Sequence, residues 1–111
     1  MFFEPKEVVL RDERTTTDRR LLTARYKRKG DLVFQGQDIG ESVKAFWGSI
    51  EYEWTWTVKA HDIPKLMTAL NVRRELLREV KRRFSGPNAF RVETFLKESA
   101  VPYLVWSRTG D

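Results

Sequence analysis

Residues 50–59 alternate without a break. Ile50, Tyr52, Trp54, Trp56 and Val58 occupy one parity, and Glu51, Glu53, Thr55, Thr57 and Lys59 the other. A strand sends successive side chains to opposite faces, so this stretch predicts a strand with one apolar and one polar face. A weaker alternation runs through residues 20–28, setting Leu22, Ala24 and Tyr26 against Thr23, Arg25 and Lys27. Lys29, Gly30 and Asp31 read as a tight turn into a second strand over 31–37, with Leu32 and Phe34 inward, which makes a hairpin. Val8, Val9 and Leu10 mark an earlier strand around residues 7–13, and residues 103–108 a closing one.

Between these runs the period changes to that of a helix. Asp38 and Glu41 have the D-x-x-E spacing of a capping box, ahead of Ile39, Val43 and Phe46, and predict a short helix. Asp62 stands as an N-cap before Ile63, Leu66, Met67 and Leu70, whose spacing is that of an amphipathic helix. Pro64 fits the first turn, where its missing N–H is not needed. Val72, Leu76, Leu77, Val80 and Phe84 continue the stripe until Ser85, Gly86, Pro87 and Asn88 stop it. Ile63, Leu70, Leu77 and Phe84 are seven apart, so 62–84 reads either as one helix or as two parted at Asn71. A last helix over about 88–99 buries Val92, Phe95 and Leu96, with Pro102 beyond its end.

Strands that precede most of the helices argue for an α+β fold. The expectation is an antiparallel sheet of four to five strands with helices packed on one face, in a single domain over 1–111. Each predicted helix is amphipathic and needs an apolar surface to cover. The stripe Tyr52, Trp54 and Trp56 is the broadest such surface, so it is expected to be core rather than a platform for stacking bases. Trp47 and Trp106 lie outside the stripe at element ends and are the candidate partner contacts, because tryptophan is enriched at interaction hot spots.

Composition narrows the chemistry. The chain has 111 residues, no cysteine and one histidine. Disulfides, thiolate nucleophiles and cysteine-based metal centres are thereby excluded, as are multi-histidine metal sites. The longest apolar run, residues 103–106, is too short for a membrane span or a signal peptide. A cytoplasmic location with no membrane partner is expected. No metal and no other cofactor is expected either.

The net charge of +5 is unevenly distributed. Residues 19–29 hold six basic side chains and no acid, and residues 71–83 hold six basic side chains and two acids. In the first block Arg25 and Lys27 share the polar parity, and pairing with Glu51 and Glu53 across the sheet is expected to absorb them. In the second block Arg73, Arg74, Arg78, Lys81, Arg82 and Arg83 form the candidate anion- or nucleic-acid-binding surface. Glu75 can reach Arg78, and Glu79 can reach Arg82 or Arg83, so the surface is only partly neutralised. If its helix begins at Asn71, Arg73 and Arg74 oppose the macrodipole, a conflict that a bound anion would relieve. The competing explanation is a solvated face, and no recognised nucleic-acid-binding motif accompanies the block.

Catalytic readings find no constellation. Gly36 and Gly40 lack the lysine and hydroxyl residue of a phosphate-binding loop, and Asp38 with Glu41 is too small a set for a cation cage. His61 and Asp62 are adjacent, a spacing at which side chains seldom meet, and no serine motif accompanies them. Glu51 and Glu53 lie on the open polar face, where nothing tunes a carboxyl group. No catalytic residue is assigned, and an enzyme is not expected.

The segments Gly36-Gln37-Asp38-Ile39-Gly40, Tyr52-Glu53-Trp54, Asp62-Ile63-Pro64-Lys65-Leu66, Val101-Pro102-Tyr103 and Trp106-Ser107-Arg108 together resemble a group of small uncharacterised bacterial proteins. The resemblance covers most of the chain beyond residue 30. It implies a free-standing bacterial protein and no particular activity. The functional expectation is a non-catalytic binding module of adaptor or immunity type whose partner is another protein. The positive charge speaks against an immunity protein that mimics nucleic acid. The alternative is nucleic-acid or polyanion binding through residues 73–83.

Overall fold

The alternation of residues 50–59 becomes strand β4 (Glu51–Val58) of a sheet completed by β1 (Glu7–Arg14), β2 (Asp18–Tyr26), β3 (Leu32–Gly40) and β5 (Leu104–Gly110). All neighbours are antiparallel, and spatial order follows chain order from β1 to β5. This computed structural model describes residues 6–110; the expectation of one domain over 1–111, and the reading of the chain's start, reach into residues 1–5 and 111, which lie outside the described residues. The architecture is α+β, with the five strands at the upper end of the expected number.

The register sets side chains in rows across one face. Ala24, Phe34, Trp56 and Val105 form one row; Leu22, Gly36, Trp54 and Ser107 the next; Arg20, Asp38, Tyr52 and Thr109 the third. β1 joins the rows through Val8, Arg11 and Glu13. A bulge between Val9 and Arg11 inserts Leu10, so Val8 and Leu10 both point inward and Arg11 then shares the face of Leu22. The hairpin predicted between residues 20 and 37 forms, but its turn is wider, spanning 27–31. There the Lys27 amide donates to Asp31 O at 2.8 Å, and Gly30 takes a positive φ.

Helices α2 (Ile63–Leu70), α3 (Leu76–Phe84) and α4 (Val92–Glu98) pack on the face that carries these rows. Leu66, Leu70, Leu76, Leu77, Val80, Phe84, Val92 and Leu96 meet Leu22, Ala24, Leu32, Phe34 and Val58 in a single core. Residues 62–84 are two helices. Asn71, in the left-handed region at φ 58°, closes α2, with its amide and that of Val72 donating back to Thr68 O and Met67 O. Asparagine tolerates this conformation better than most residues, which makes it a natural stop. The last helix is shorter than predicted, because residues Gly86–Arg91 form a 3₁₀ turn ahead of α4.

Helix α1 (Glu41–Trp47) corrects the capping box. Asp38 and Ile39 remain in β3, Gly40 is the N-cap, and no side chain of the helix's own start caps it. Asp18 of β2 does so instead: its Oδ1 accepts from the Ser42 amide at 3.0 Å and from Ser42 Oγ at 2.8 Å. Gly40 is required at that junction. Its φ is +137°, and a Cβ there would lie 2.2 Å from Asp18 Oδ1 and 2.3 Å from Thr17 O. Among the described residues, no helix is long and apolar enough to cross a membrane.

Candidate binding surfaces

The aromatic stripe is not fully core. Val58 is buried and Trp56 packs against the core, but Tyr52 and Trp54 are only part-buried because α2, α3 and α4 stop short of their rows. What covers them is largely each other. Trp47 stacks on Tyr52 at 4.6 Å between centroids and 8° between planes, and Tyr52 stacks on Trp54 at 5.4 Å. Trp54 meets Trp56 at 6.1 Å, and Phe46 meets Trp47 edge-on at 5.0 Å. Trp54 can lean across β3 because residue 36 is glycine; a Cβ at Gly36 would fall 2.1 Å from its ring. Both faces of Tyr52 are occupied by neighbouring rings, so this ladder is poorly suited to stacking bases.

At its outer end the ladder becomes surface. Trp47 is 49% exposed, as its position at an element end suggested, and Phe46 is 78% exposed beside it. Phe46 had been expected to belong to the apolar stripe of its helix, but only Val43 of α1 is buried.

The same face carries unsatisfied polar atoms. Arg11 Nε, Asp38 Oδ1 and Trp54 Nε1 are buried without a hydrogen bond among the described residues. Burial pushes the Asp38 carboxyl above its ordinary value, and Glu13 adds to this, while the charges of Arg20 and Arg11 pull the other way. Asp38 had been assigned to a helix-capping box, a reading that failed because β3 runs three residues further than predicted.

The basic block 71–83 is divided by the fold. Arg73 and Arg74 precede α3, in the bend between helices, so they do not share its face. The first turn of α3 instead contains Glu79, and its last turn contains Lys81, Arg82 and Arg83. That order suits the macrodipole. Glu79 accepts from Arg82 Nε at 2.9 Å and lies 3.6 Å from Arg83, which holds its carboxyl below the usual range, and Arg78 lies 3.5 Å from Glu75. Arg83 is part-buried, with its guanidinium 5.5 Å from the Phe95 ring centroid. Arg73, Arg74 and Lys81 are exposed and form no salt bridge among the described residues.

Nor do Arg25 and Lys27 pair with Glu51 and Glu53. β3 lies between β2 and β4, which puts the partners two strands apart. Glu53 bonds Arg108 Nε of β5 at 2.9 Å, Gln37 donates to both Glu51 and Glu53, and Arg19 bonds Asp12 at 3.2 Å. His61 and Asp62 do meet, contrary to the spacing argument: His61 Nε2 lies 3.2 Å from Asp62 Oδ2. Lys65 Nζ lies 3.2 Å from the other oxygen, so the pair belongs to an ion cluster at the start of α2. No group of three or more His, Asp or Glu side chains is placed to hold a metal among the described residues.

Two apolar features escaped the sequence reading. Phe90 falls off the stripe of Val92, Phe95 and Leu96; it is 67% exposed and lines a groove of about 500 Å³ with Arg83, Arg91 and Phe95. Trp106 lies within β5 rather than at an element end; it is 51% exposed and is preceded by Leu104 and Val105, both more exposed than the tryptophan itself. Comparison with protein-family models, with curated proteins and with solved structures finds no match to this chain.

Proposed function

We propose that the chain is a non-catalytic cytoplasmic binding module that recognises another protein through the patch built on Phe46 and Trp47. The observation that carries this reading is the stacking of Trp47 on Tyr52 at 4.6 Å while about half of the indole remains exposed. A large aromatic side chain held in place before contact loses little conformational entropy on binding, which is how hot-spot residues act. Helix α1 is itself anchored by the two Asp18–Ser42 hydrogen bonds, so the patch sits on a positioned element.

Polyanion binding is the second reading, and Arg73, Arg74 and Lys81 are the observation in its favour. The division of the basic block and the pairing of Arg78 and Arg82 weigh against it. Salt separates the two. Affinity capture by the protein-recognition surface is expected to persist from about 0.05 to 0.2 M salt and to be lost in Trp47→Ala, whereas phosphate contacts weaken steeply over that range. Retention on heparin that falls with salt, and that disappears in Arg73→Glu/Arg74→Glu but not in Trp47→Ala, would establish the second reading instead.

A further inference from the structure

The sheet has two free edges, and they are built differently. β1 carries Glu7, Arg11, Asp12, Glu13 and Arg14, and its register is broken by the bulge. Charge and irregularity are the usual means by which an edge strand avoids pairing with another chain. β5 has neither. Its register against β4 is unbroken, it contains no proline or lysine, and its one charge, Arg108, is held by Glu53. Leu104, Val105 and Trp106 are 60%, 61% and 51% exposed, and successive residues face opposite sides of the sheet. A regular, nearly neutral edge with apolar groups on both faces is a template for one more strand.

We infer that the strand it takes is β5 of a second copy, antiparallel, about a two-fold axis at Ser107. The sequence of β5 complements itself in that register. Trp106 stands opposite Arg108 of the other copy, twice over, Val105 opposite Thr109, Leu104 opposite Gly110, and Ser107 opposite itself. All seven residues of the strand are paired. A guanidinium against an indole is the most favourable cation–π pairing, and directly opposed side chains lie about 4.5–5.5 Å apart at Cβ. An axis at Trp106 would set the indoles against each other and bring Pro102, which has no N–H to donate, into the ladder. The overall charge of +5 opposes self-association, but each copy brings Arg108 already neutralised by Glu53, so the edges themselves meet without net charge.

The result is a ten-stranded sheet with both aromatic ladders on one face. The two β4 strands would lie three strand spacings apart, about 14 Å. The contact uses no residue of the Phe46–Trp47 patch, so it stands or falls independently of the function proposed above.

The chain lacks cysteine, so Ser107→Cys introduces a single thiol whose Cα lies within disulfide range of its symmetry mate in this register. Mild oxidation of this full-length variant is expected to convert it quantitatively to a covalent dimer. Trp106→Cys, two positions out of register with itself, is expected to remain largely uncoupled. In sedimentation velocity the wild type is expected to run at twice the monomer mass, and Val105→Lys/Trp106→Lys, changed only at exposed positions, at the monomer mass with unaltered circular dichroism. A wild type that stays monomeric at every concentration overturns the pairing, as does stronger cross-linking at position 106 than at 107. An edge that serves a different polypeptide would give the first of these results.

Discussion

One face of one sheet serves two ends differently in this molecule. Where Ala24, Phe34, Leu32 and Val58 lie, three helices close over the strands and the side chains are lost to solvent. Where Arg20, Asp38, Tyr52 and Trp54 lie, no core helix reaches, and aromatic rings cover one another instead. β4 runs through both halves with the same alternation, so the strand does not distinguish them. The covered half is held by burial against residues far away in sequence. The open half is held by contacts mainly among β2, β3, β4 and α1, leaving Trp47 and Phe46 exposed.

Substitutions in the two halves should therefore separate. Phe34→Ala, in the covered half, is expected to cost about 3–5 kcal/mol in chemical denaturation, the range for truncating a fully buried aromatic. Trp54→Ala should cost less, about 1.5–3 kcal/mol, because its ring is only part-buried. Equal losses at the two positions would mean that the open half is core after all. Trp47→Ala is expected to change stability by about 0.5–1 kcal/mol, the worth of one stacked pair, while removing partner capture. A larger loss of stability would make the patch a structural element.

The smallest effect expected is of opposite sign. Because burial raises the Asp38 carboxyl, the folded protein binds more protons than the unfolded chain between the ordinary and the raised value, and stability falls as pH rises through that window. Above it the ionised carboxylate is a standing penalty. Asp38→Asn should therefore raise the melting temperature at neutral pH, with the gain shrinking as pH falls through the window from the raised to the ordinary carboxylate value. A melting temperature lowered by the substitution at neutral pH would show that Arg11 and Arg20 hold the carboxylate more strongly than burial opposes it.

Much of the fold was legible in local pattern. The alternation of β4, the i, i+3, i+4, i+7 spacing of Ile63, Leu66, Met67 and Leu70, and the stop signal after Phe84 each reflect a period that backbone geometry imposes on its own. Exposure of Trp47 was legible because it falls at the end of a helix, whereas Trp106 lies within β5 and is exposed because β5 is an edge strand. The candidate site as a whole was not. The ladder from Phe46 to Trp56 joins a helix to a strand, and its fit over Gly36 depends on the β3–β4 register, which no local pattern states. The expected pairing of Arg25 with Glu53 failed for a related reason: parity gives a face, but strand order gives a neighbour.

Sequence by itself thus determined most of the elements, the apolar face of β4 and of α2, and the absence of cysteine-based chemistry, because these follow from side-chain type and backbone period. Tertiary structure alone decided how far the helices reach across the sheet, which carboxylate each arginine finds, and which edge is left unguarded. Those outcomes depend on distances between residues remote in the chain. In this protein they separate a stripe of identical parity into a buried core at one end and a part-buried aromatic ladder at the other.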